Sequence, residues 1–179
     1  MYGYSIMEEN TIVNRVAGSG LITLNLEDLH PRAEIAEIDL KQLLVGGFML
    51  REKDLREFIR SHDWQQYQGK IVAVHCSVDA VVPTWAYMLL SIALQPFSLL
   101  TVFGNRQSAL TTAYHDALRK IDWTEYRGAK VVVKGCSDVH VPESVFVEAA
   151  GHLREVAASI MYGEPCSTVP LYKKANSGG

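Results

Sequence analysis

The sequence predicts an α/β fold: a parallel sheet built from a duplicated strand–helix–strand unit, with an irregular N-terminal addition. Three observations carry this. Laying residues 60–104 over residues 119–163, a shift of 59 without a gap, gives 12 identities in 45 positions, where chance gives about three. Rare residues carry the match, and Asp-Trp-x-x-Tyr-x-Gly stands in both segments. Each segment holds a short β-branched run, apolar on both faces as buried parallel strands are, and a second run that closes the unit in an aromatic-Gly pair. Between those runs Pro83 or Pro142 stands where a helix accepts proline, in its first turn.

Taken in order, 20–26 (GLITLNL) alternates enough to be a strand, and 38–44 reads as a short helix before Gly46-Gly47. Both belong to the N-terminal addition. A polar helix over Glu52–Ser61, and its counterpart over 109–120, leads into the Asp-Trp-x-x-Tyr-x-Gly turn. The first strand of each unit covers Ile71–His75 or 130–133. Helices follow over 84–95 and Glu143–Val156, and returning strands over 99–103 and 159–162, each ending in an aromatic-Gly pair. Right-handed crossovers then make a parallel sheet with helices packed on it. Trp64, Tyr67, Trp123 and Tyr126 read as packing anchors, and Trp85, Tyr87 and Met88 as core, because their helix is apolar nearly all round. His62, His115 and His152 read as solvated helix-surface residues. Residues 1–9 and 171–179 read as loose termini.

Length and charge narrow the function. At 179 residues the chain suits a single domain that buries roughly two thirds of its unfolded surface. A formal net charge of −3 with pI near 6.1 argues against a nucleic-acid partner, which would call for a clustered basic face. No apolar run reaches the ~18 residues of a membrane span. The start lacks the basic, apolar and small-residue regions of a secretion signal, so a cytoplasmic protein is expected. No phosphate-binding glycine motif and no nucleophile elbow appears.

The three cysteines, Cys76, Cys136 and Cys166, are each followed by Ser and, a few residues on, by Val-Pro. An odd count in a cytoplasmic chain favours free or metal-bound thiols over a disulfide framework. Parallel sheets bind ligands beyond the carboxyl ends of their strands. Cys76 and Cys136 each follow a strand, and Cys166 follows the returning strand at 159–162, so all three are expected on one edge. Asp79, Asp138 and His140 stand in the same loops as a fourth ligand or a supporting bond. Three thiolates with one further position suit zinc or an iron–sulfur cluster. The spacing matches no recognised metal signature, since there is no Cys-x-x-Cys. The same cysteines are read equally well as buried packing groups. As a nucleophile, Cys76 beside His75 or Cys136 near Asp138 and His140 is the candidate. Three functions follow: a metal- or iron–sulfur-binding accessory protein, a thiol-dependent enzyme on a small molecule, or a partner-binding scaffold whose cysteines are structural.

Whole segments also carry a resemblance: TIVNRVAGSGLITLNLEDL (11–29), HDWQQY (62–67), CSVDAVVPTWAYMLL (76–90), KGCSDVHVPESVF (134–146) and SIMYGEPCSTVPLYKK (159–174). The chain resembles the family known as domain of unknown function 2480 over nearly all of residues 10–174. That resemblance implies a soluble bacterial cytoplasmic protein and transfers no catalytic role. It also implies an association with iron–sulfur assembly proteins of the sulfur-mobilisation pathway, which would be the partners.

Overall fold

A computed structural model describes residues 14–15, 20–135, 139–164 and 167–175. The elements begin with β1 (Asn14–Arg15), β2 (Leu21–Asn25), β3 (Ile35–Asp39), β4 (Leu44–Val45), β5 (Met49–Leu50) and α1 (Glu52–Ser61). They continue with β6 (Ile71–His75), α2 (Thr84–Leu94), β7 (Leu100–Phe103) and α3 (Arg106–Arg119), then β8 (Lys130–Lys134), α4 (Glu143–Val156), β9 (Ser159–Glu164) and β10 (Ser167–Lys173). Short 3-10 turns occupy Leu26–Leu29, Leu40–Leu43, Trp64–Tyr67 and Trp123–Tyr126. The chain divides into two compact units: residues 31–116, and residues 1–30 together with 117–179.

In the 31–116 unit the sheet order is β3-β6-β7, parallel throughout. Period-two alternation places Val72 and Val74 of β6 on one face and Ile71 and Ala73 on the other. Val72 and Val74 bury against Leu55 of α1 and Ala86, Leu90 and Leu94 of α2. Ile71 and Ala73 bury with Ile35, Val102 and Ala109, the last from α3. Helices cover both faces of β6, which is why that strand reads as a continuous apolar run. Ahead of α1, β4 and β5 form a hairpin across Gly46-Gly47, whose φ values of 62° and 80° suit the two-glycine turn that joins twisted strands.

The terminal unit holds a five-stranded sheet in the order β1-β2-β8-β9-β10. β2, β8 and β9 run parallel, and β1 and β10 close the two edges antiparallel. Val131, Val132 and Val133 of the central β8 are buried, and so are Val145, Ala149 and Leu153 at four-residue spacing on α4. Four-residue spacing lines up one helical face, and that is the face α4 buries.

Backbone bonds recur at the same offset that aligns the two segments. Gly69 N donates to Phe97 O at 3.0 Å and Gly128 N to Val156 O at 2.9 Å. Leu99 N donates to Lys70 O, and Ala158 N to Ala129 O, both at 2.8 Å. The turns Trp64–Tyr67 and Trp123–Tyr126 are capped alike, by Asp63 accepting from Gln65 N and Asp122 from Thr124 N.

Four expectations are corrected. The strands lie in separate sheets, not in one parallel sheet. The N-terminal addition is not irregular, since β2 pairs with β8 and β3 with β6. The helix expected at 38–44 is instead the end of β3 followed by a 3-10 turn, because Asp39 accepts from Lys41 N and turns the chain there. The tail continues as β10 through Lys173, with a register shift between Pro170 and Tyr172. An edge strand accommodates a proline at such an irregularity because no inner ladder bond is lost.

Candidate functional site

The carboxyl edge of the 31–116 sheet is assembled from the ends of its strands. Asp39 ends β3 and reaches across to the loop after β6. Its carboxylate accepts from Ser77 Oγ at 2.6 Å, Ser77 N at 3.0 Å and Lys41 N at 3.0 Å. Burial opposes its charge, but the Ser77 hydroxyl, the two amides and nearby His75 outweigh that and hold the carboxyl down at about 2. This clamp fixes the segment that carries Cys76.

Cys76 is half-buried and packs against the α2-side core. His75, one residue earlier, faces the α3 side, where its Nε2 lies 3.5 Å from Glu37 Oε1. Glu37 Oε1 also accepts from Arg106 N at 3.0 Å. Strand alternation therefore separates the thiol from the imidazole, and His75 is not placed as the base for Cys76. Across from the thiol stands Tyr87, whose hydroxyl is pushed upward by burial, with Cys76 and Asp39 adding to the effect.

Of the other residues singled out by sequence, Asp79 is exposed in the loop between β6 and α2, and His140 is exposed ahead of α4 in the terminal unit. Cys136, Asp138 and Cys166 lie outside the described residues. Among the described residues, no group of three or more His, Cys, Asp or Glu side chains is gathered to hold a metal ion.

A concave feature of this unit lies beside the thiol edge, between α2 and β7. It is a groove of about 590 Å³ lined mainly by Val74, Tyr87, Met88, Ile92, Thr101 and Phe103. Around it Met88 is 61% exposed, Ile92 68%, Leu99 68% and Phe103 71%. Placing Trp85 and Met88 in the core is thus corrected: α2 buries Ala86, Leu90 and Leu94 and turns its other apolar face outward. Phe103 meets Tyr87 edge-on at 4.9 Å. From Ala80 to Asn105 the chain has no Lys, Arg, Asp or Glu at all, so α2 and β7 bring no charge to the face, and the nearest charges at Ile92 are Arg56 and Arg60 of α1. That uncharged stretch is the sequence signal that marks the groove. The Asp39–Ser77 clamp was also missed; its signal is the Asn25-Leu26 and Asp39-Leu40 pair, each ending a strand and capping a 3-10 turn.

The chain belongs to the family described as protein of unknown function (DUF2480), whose model matches residues 10–174. No curated protein and no solved structure matches it. Among the described residues no helix is long and apolar enough to cross a membrane.

Proposed function

We propose that this chain is a partner-binding protein whose working surface is the α2–β7 face of the 31–116 unit, with the Cys76 thiol structural. The observation that carries this is the exposed apolar face on the stretch from Ala80 to Asn105, which holds no formal charge. Contiguous exposed apolar surface larger than a few hundred Å² marks interaction sites. Beside the loop before α2, Phe48, Val78 and Val81 add further exposed apolar groups. Cys76 supports a structural role because it packs against the core while its neighbouring histidine faces the other side of the strand. A photo-crosslinking residue at position 88 of the full chain, expressed in cells, should give a covalent adduct to a polypeptide. The same adduct should form in a Cys76→Ser background. No adduct at position 88 would sink this reading.

A second reading keeps the thiols of the terminal unit as ligands of zinc or an iron–sulfur cluster, with Cys136 and Cys166 as donors and Asp138 or His140 in support. What favours it is chain continuity: Gly135 and Glu164, which stand just before the segments carrying Cys136 and Cys166, lie at the same end of the paired strands β8 and β9. Lys134 Nζ lies 3.6 Å from Glu164 Oε2 at that end. Iron–sulfur assembly proteins would then be the partners. Protein purified without oxygen should contain iron with sulfide, or zinc, and Cys136→Ser should lose it. Absence of both after reconstitution would exclude this reading.

The two segments are also read as copies of one ancestral strand–helix–strand unit, on the backbone bonds that recur between them. Family members in which the match between the segments disappears would count against that.

A further inference from the structure

We infer that the occupant of the α2–β7 face is a second copy of this chain, joined β7 to β7 in antiparallel across a two-fold axis. The inference rests on the partner-binding reading and names the partner.

The backbone argument comes first. Among the described residues β7 is the outer strand of its sheet and pairs with β6 alone. Edge strands are normally protected by charge, proline or a covering element, yet Leu99-Leu100-Thr101-Val102-Phe103 carries neither charge nor proline. In the terminal unit β9, the strand that aligns with β7, has β10 paired antiparallel along its outer edge. β7 lacks such a strand among the described residues, and a second β7 running antiparallel takes the equivalent place.

Symmetry supplies the second argument. A two-fold axis normal to the sheet reverses the strand and keeps its faces, so both α2 helices fall on the same side. α2 packs against both β6 and β7, which places it roughly one strand spacing, about 4.8 Å, from such an axis. The two helices then lie about 10 Å apart, the distance at which helices pack. Met88 and Ile92 of each copy enter the groove over Thr101 and Phe103 of the pair.

Charge and area agree with a self-contact. An isologous interface sets residues near their own symmetry mates, so a charged patch repels itself and an uncharged one does not. With whole aromatic side chains burying about 150–250 Å² and aliphatic ones less, Trp85, Met88, Ile92, Leu99 and Phe103 leave on the order of 500 Å² of apolar surface per copy. Backbone and groove walls bring this toward the ~800 Å² per partner of a stable interface.

The test is sedimentation equilibrium on the full chain, with Ile92→Glu, Phe103→Glu and the control Val147→Glu, whose site is 73% exposed in the other unit. Circular dichroism checks that each variant is folded. The expected result is a micromolar dimer, weakened about 100-fold or more by either face variant through like-charge repulsion and unchanged by Val147→Glu. A dimer that survives Ile92→Glu and Phe103→Glu overturns the inference. So does a wild-type monomer at about 200 µM, well above a micromolar dissociation constant. In that case adducts at position 88 with a different protein leave the partner-binding reading standing, and no adducts remove both.

Discussion

Asp39 shows how one carboxylate can organise a strand edge. Its folded pKa of about 2 lies below the ordinary 3.8. A depressed carboxyl pKa stabilises the fold above its unfolded value, and that stability is lost as pH falls from about 4 toward 2. The side chain is 21% exposed, so solvent screening reduces the effect to about 1–2 kcal/mol. Asp39→Asn should therefore cost about that much near neutral pH, and the difference from wild type in urea unfolding should vanish toward about pH 2. A difference that does not change with pH would show that charge is not the cause. The two Tyr residues of the repeated turn make a matched contrast. Tyr67 Oη lies 2.9 Å from His62 Nε2, so His62 is part-buried and bonded, where the sequence suggested a solvated residue. The position that aligns with His62 is Ile121, and Tyr126 Oη finds no partner among the described residues while burial pushes its hydroxyl up to about 12. Tyr67→Phe should cost about 0.5–1.5 kcal/mol and Tyr126→Phe nearly nothing or a slight gain, since a buried unpaired hydroxyl is itself unfavourable. Equal losses in thermal unfolding would contradict the contrast.

At the scale of elements, most of the fold was legible because its signals are local. α1, β6 and α4 fall at Glu52–Ser61, Ile71–His75 and Glu143–Val156 as the sequence suggests. The returning strands were legible through their aromatic-Gly ends: Gly104 and Gly163 adopt φ of 124° and 120°, a region open to glycine and rarely to other residues. β3 and β10 were not legible. β3 is a short strand, and what makes it one is pairing with the distant β6, where Ile35 meets Ile71; no local pattern contains that. The outward face of α2 escaped for the same reason, because whether a strand edge is covered depends on which strand pairs beside it. The burial of α4 gives a direct check. Leu153→Ala removes a fully buried side chain and should cost about 2–5 kcal/mol in urea unfolding. Val147→Ala, at 73% exposure, should stay within about 0.5 kcal/mol. Comparable losses would mean that α4 presents a different face to its sheet.

For the whole molecule, the division into two main sheets, apart from the β4–β5 hairpin, decides where stability concentrates. Had residues 60–163 formed one sheet, its middle strands would form one protected centre. Instead β6 is bonded on both sides by β3 and β7, and β8 on both sides by β2 and β9. Val72 and Ala73 are fully buried in the first, Val131 and Val132 in the second. An amide exchanges with solvent only when its bond opens, and strands held from both sides in a dry core open at the highest free energy. The slowest-exchanging amides should therefore form two sets, within Ile71–His75 and within Lys130–Lys134. β7 offers the sharper test, since among the described residues only one of its edges is paired. In dilute protein its outward amides should exchange at least about tenfold faster than those of β6. If β7 pairs with a second copy, that gap should narrow as concentration rises, while the gap between β8 and its own edge strand β1 stays fixed. Slowest exchange in α1 or α3 would remove the two-centre picture, and a concentration effect spread evenly over both sheets would not be a β7 contact.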